Sequence, residues 1–169
     1  MPKFTYDLDP VTRITATAVG EPGQRVFYIQ ARRNTQLVSL IAEKEQIAAL
    51  AQAIEQLLDN LAEQNPLMSS GDDTLTLYDM SLEEPLESSF RIAQMGLGYD
   101  AERDLVVLVM QGLQEDESEE APTARFSATR QQMRALSRHA AEVVARGRKI
   151  CGNCAQPIDP DGHFCPRRN

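Results

Sequence analysis

Apolar and polar residues alternate near the start of the chain. Across Thr12–Val19, Ile14, Ala16 and Ala18 interleave with Arg13, Thr15 and Thr17. That two-residue period predicts a strand with one buried face. A short extended run, Phe4–Leu8, precedes it. Gly20-Glu-Pro22-Gly23 reads as a turn, because proline presets φ and glycine accepts a positive φ. Arg25–Ala31 is β-branched and aromatic, hence a strand. Arg32-Arg-Asn34-Thr turns the chain into a third strand, Gln36–Ala42.

The period then changes. Ile47, Leu50, Ile54, Leu57, Leu58 and Leu61 share one face of a helix predicted from about Lys44 to Gln64. Asn65-Pro66 stops it. Residues 65–88 read as a flexible loop with one short apolar run, Leu75–Tyr78. Phe90–Asp100 and Asp104–Gln114 are predicted strands about an Asp100-Ala-Glu-Arg turn. Val106–Met110 is continuously apolar, as in a strand buried on both faces, and Gly96-Leu-Gly98 suggests a bulge or close packing. Residues 114–122 are acidic and read as mobile. Thr123–Ala128 is read as a final edge strand. Thr129 then caps a second helix to about Arg146, with Met133, Leu136, Ala140, Val143 and Val144 inward and Gly147 as its natural stop.

These elements predict an α+β two-layer sandwich. Its sheet is expected to be mostly antiparallel, with five or six strands and both amphipathic helices on one face. The expected body spans residues 1–147, and residues 148–169 form a separate small tail.

At 169 residues the chain is long enough for one ordinary core. No apolar run reaches membrane-spanning length, and the start lacks the apolar segment of a secretory signal. A cytoplasmic protein is the resulting expectation. Charge is unevenly spread. Residues 1–122 hold 8 Lys/Arg against 22 Asp/Glu, while residues 123–169 hold 9 against 3. The plain reading is a basic end packed against an acidic body; the sharper one is a basic end that meets an anionic partner.

All three cysteines fall in the tail, as Cys151-x2-Cys154, eight residues, then His163-x-Cys165. Three thiolates and an imidazole are a standard tetrahedral zinc set. The C-x2-C pair places two thiolates on one turn, and the turn-rich Pro157–Gly162 connector lets the chain fold back. Zinc is therefore the expected cofactor. A redox C-x2-C is the competing reading, but it needs its first cysteine at a helix start in a βαβ setting.

The chain resembles a bacterial family known only as domain of unknown function 3090. The resemblance rests on Gly20-Glu-Pro-Gly-Gln-Arg25-Val-Phe-Tyr-Ile-Gln30-Ala, on Glu43-Lys44-Glu-Gln46, on Phe90-Arg91, and on the tail from Asp159 to Asn169. It implies a cytoplasmic protein and supplies no reaction.

Arg130, Arg134 and Arg138 recur at helical spacing. With Arg167 and Arg168 they are candidates for an anion-binding surface. Nucleic acid is a disfavoured ligand for it, because the body is acidic and aromatic residues are few. Arg25, Gln30, Lys44, Gln46 and Arg91 are candidates for a phosphate groove. His139 reads as a surface or boundary histidine. No nucleotide-binding loop, nucleophile elbow or H-E-x-x-H motif is present. The leading expectation is a zinc-binding interaction or adaptor protein with a protein partner. The alternatives are an enzyme acting on a phosphorylated or nucleotide-like ligand, and a nucleic-acid accessory protein.

Overall fold

Ile14, Ala16, Phe27, Ile29, Val38 and Leu40 alternate along three strands and enter one buried core. A computed structural model describes residues 4–21, 23–64, 78–114, 116–117 and 119–146. In chain order its elements are β1 (Tyr6–Leu8), β2 (Arg13–Val19), β3 (Val26–Arg33), β4 (Gln36–Ala42), α1 (Lys44–Gln64), β5 (Ser88–Asp100), β6 (Leu105–Gly112), β7 (Thr123–Ala128) and α2 (Arg130–Ala145).

The fold is α+β, but the sheet differs from expectation. It has seven strands in the order β1-β7-β6-β5-β4-β3-β2 and is mixed. β1 runs parallel to β7, with Tyr6 opposite Ala124, and β4 runs parallel to β5. The β4–α1–β5 path is a crossover, as parallel neighbours require. β7 is flanked by β6 and β1, so it is not the edge strand expected. Neither parallel pairing leaves a local signature, since each joins segments remote in sequence.

Residues 9–12 alone connect the two edge strands. In a flat sheet seven strands wide, edges stand about 29 Å apart at ~4.8 Å per strand. The connection reaches at most about 18 Å. The sheet is therefore strongly curled. The linker is bonded to both sides of the gap: Val11 N donates to Ser127 O and Thr12 N to Arg32 O, each at 2.7 Å.

Both helices join the sheet in a single core. Ile47, Leu50, Ile54 and Leu58 of α1 are buried there, as their spacing predicts. Each fully buried Leu or Ile stabilises by about 1.5–3 kcal/mol relative to exposure. α2 contributes Met133, Leu136, Ala140 and Val143. Thr129 caps it reciprocally: its hydroxyl accepts from Gln132 N at 3.1 Å, and Gln132 Oε1 accepts from Thr129 N at 2.9 Å.

The apolar run in β6 is not buried on both faces. Val106, Leu108 and Met110 are buried, while Val107 and Val109 are half-buried. A Cβ at Gly96 or Gly98 would meet nothing within 4 Å, so neither marks close packing. The register shift lies instead between Ile92 and Gln94. It switches the inward positions from Phe90 and Ile92 to Met95, Leu97 and Tyr99. The later part of the expected flexible loop is pinned to the sheet. Met80 O accepts from Thr15 Oγ1 at 2.7 Å, Glu83 N donates to Gln30 Oε1 at 2.8 Å, and Arg32 Nε lies 2.7 Å from Glu83 Oε2. Residues 65–77 lie outside the described residues.

Candidate functional site

A cleft of about 490 Å³ opens where β3, β4, α1 and β5 converge. Its cationic lining residues are Arg25, Lys44 and Arg91, and its anionic ones Glu43 and Glu45. Val26, Phe27, Ile41 and Ala42 supply apolar lining. Among the described residues no Ser, Thr, Cys or His lines it.

The turn before β3 delivers Arg25. Gly20 and Gly23 have φ of 104° and 94°, and Gln24 N donates to Glu21 O at 2.9 Å. A Cβ on Gly20 would stand 2.9 Å from the Gln24 carbonyl oxygen, so that position requires glycine. The Arg25 guanidinium then donates to Val143 O, and its Nη2 to Arg146 O at 2.8 Å. These carbonyls end α2, where a cation also meets the negative end of the helix dipole. Arg91 Nη1 lies 2.6 Å from Glu43 Oε1, and both side chains are more than half exposed. Gln46 fixes the start of α1: its Oε1 accepts from Glu43 N at 2.8 Å, and its Nε2 donates to Ile92 O at 3.1 Å.

Of the five candidates for a phosphate groove, Arg25, Lys44 and Arg91 meet in this cleft. Gln46 sits at its margin as a cap, and Gln30 is elsewhere, donating to Ser39 Oγ and Glu83 O. Glu43 and Glu45 carry no site signal of their own in the sequence, because an acidic residue at a helix start is ordinary.

The arginine stripe on α2 is not a surface stripe. Arg130 and Arg134 are 3 % and 2 % exposed. Arg130 Nε lies 2.8 Å from Asp104 Oδ1, and its guanidinium stacks over the Tyr99 ring. Arg134 bonds Glu55, and its Nη2 lies 3.1 Å from Asp59 Oδ1. Burial requires such partners, and acids on α1 and after β5 provide them. Arg138 is half exposed, with Nε 3.8 Å from Glu55 Oε1. Residues Cys151, Cys154, His163, Cys165, Arg167 and Arg168 lie outside the described residues. Among the described residues no group of His, Cys, Asp or Glu is placed to hold a metal.

His139 belongs to a second cleft of about 600 Å³ between α2, β2 and residues 78–81. Its Nε2 is 3.0 Å from Thr17 Oγ1. Burial pushes its pKa below the ordinary value; Glu142 opposes this and Arg146 adds to it. Asp79, at the rim, is held below the usual carboxylate range by the Ser81 backbone N–H and hydroxyl.

The segments that carry the family resemblance, residues 20–31, 43–46 and 90–91, thus meet at the first cleft. The family model described as protein of unknown function (DUF3090) matches residues 6–165. The chain belongs to this family. No curated protein matches the chain, and no solved structure matches it. Among the described residues, no helix is long and apolar enough to cross a membrane.

Proposed function

We propose that this chain is a zinc-binding cytoplasmic protein that acts by interaction rather than by catalysis. The observation that carries the reading is the spacing of four N/S donors, Cys151, Cys154, His163 and Cys165, within one short segment. The donor set fits zinc: thiolates and imidazole are its preferred protein ligands. Four protein ligands leave no open position, so a bound ion would order the segment instead of activating water. A reducing compartment keeps the thiols available as ligands. A protein partner is favoured over nucleic acid, because Arg130 and Arg134 are already engaged by Asp104, Glu55 and Asp59.

The test is elemental analysis of purified wild type and Cys154→Ser. About one zinc per chain, lost in the variant while the far-UV circular dichroism of the body persists, is the expected result. Wild type free of metal with rapidly alkylated thiols would overturn it and point to redox chemistry.

A further inference from the structure

Among the described residues two arginines, Arg25 and Arg33, are bonded to carbonyl oxygens and to no carboxylate, and of the two Arg25 lines the first cleft. Most described arginines meet a carboxylate: Arg13, Arg32, Arg91, Arg103, Arg125, Arg130 and Arg134 all do. Arg25 instead spends its bonds on two carbonyl oxygens. A carbonyl satisfies an N–H without cancelling the positive charge. A guanidinium has five N–H donors, so donors also remain after these two bonds. Arg25 is thus a cation fixed in position by the end of α2, bonded to no carboxylate among the described residues, and part of a cleft wall. Lys44 lines the same cleft and has no ion-pair partner among the described residues. Arg91 is the third cation, and its exposed pair with Glu43 is worth little, so an incoming anion can compete for it.

We infer that this cleft is a binding site for the phosphate group of a small phosphorylated molecule, held by Arg25, Lys44 and Arg91. The site is built from side chains on three separate segments. Its volume of about 490 Å³ suits a small metabolite. A planar guanidinium presents a fork of donors that matches phosphate oxygens. Val26, 40 % exposed, offers apolar surface to the organic part. Glu45 opposes an incoming anion and so limits affinity. None of these groups depends on a metal in the tail.

The experiment is calorimetric titration of the full chain at low salt with inorganic phosphate and, separately, glycerol phosphate. Saturable binding is expected, weakened about tenfold by Lys44→Gln through loss of one charged contact. Arg25→Gln is expected to weaken it further. Because Arg25 also caps α2, Glu45→Gln provides a second arm that leaves that cap intact: removing its charge should tighten binding. Arg33→Gln, an arginine bonded to Pro10 O outside the cleft, should change nothing. Tighter binding of the ester than of the free ion assigns an organic ligand, and equal binding assigns phosphate itself; both support the site. Absence of saturable binding by the wild type overturns it. So does binding that Lys44→Gln and Glu45→Gln both leave unchanged. Cys154→Ser should bind phosphate as wild type does, which separates this outcome from failure of the zinc reading.

Discussion

Arg134 and Glu55 are bonded across the seam between α1 and α2, 79 residues apart in sequence. The same carboxylate accepts from Ser137 Oγ at 2.6 Å. One acidic side chain thereby satisfies two groups on α2 and sets how the helices meet. Removing one partner of a buried pair strands the other charge and costs about 3–5 kcal/mol. Glu55 is 34 % exposed, and Asp59 also contacts Arg134, so Glu55→Ala should lie at the lower end of that range. Arg134→Met combined with Glu55→Leu should recover most of the loss, since an apolar pair carries no desolvation cost. Urea denaturation of the single and double variants checks both expectations.

Thr129→Ala should destabilise the protein by about 1 kcal/mol, because it removes the acceptor for an otherwise unsatisfied helical N–H. Thr129→Ser keeps that acceptor and should stay close to wild type. Thermal unfolding of the two variants side by side discriminates a capping effect from a general loss of packing at this position.

The half-buried imidazole of His139 makes stability depend on pH. Its folded pKa lies below the ordinary 6.5, so the unfolded chain takes up the proton first. The sign follows: stability is full above about pH 6.5 and falls as pH drops through the folded pKa. His139→Gln should flatten this limb. Denaturation curves from about pH 7.5 down to about pH 5 span the window set by the ordinary histidine value. A limb unchanged in the variant would mean another group titrates there.

Asp9 governs a second, more acid limb. Burial raises its pKa, but the hydrogen bond from Arg103 and the charges of Arg103 and Arg125 outweigh that and hold it below the ordinary 3.8. Its contribution is therefore present above about pH 4 and disappears as pH falls through the lower folded value. Asp9→Asn should lose stability at neutral pH and show a shallower decline below about pH 4. Because Asp9 lies in the linker that joins the sheet edges, the variant also tests whether that closure matters.

Particular residues show where local reading succeeds. The helix over Lys44–Gln64 is legible because a long 3.6-residue period has few rivals, and Thr129 because a side-chain cap acts within three residues. The strand Gln36–Ala42 is legible for the same reason of locality. Sheet order is not. Tyr6 beside Ala124 is a pairing of segments joined by most of the chain, and backbone hydrogen bonds are indifferent to side-chain identity. The cleft is half legible. Strand periodicity already sets Gln30 on the face opposite Arg25, as observed, but it cannot say that Arg25, Lys44 and Arg91 meet.

Charge draws the sharpest division. Local sequence suffices for the two helices, most strand segments, the Cys/His spacing, and the basic excess after residue 122. What that excess does within residues 123–146 is settled by tertiary contacts alone. There Arg125 meets Asp7, Arg130 meets Asp104, and Arg134 meets Glu55 and Asp59. Helical spacing places arginines on a common side of a helix but cannot tell whether that side faces water or acids. That depends on desolvation and on partners brought from distant elements, and both exist only once the chain has folded.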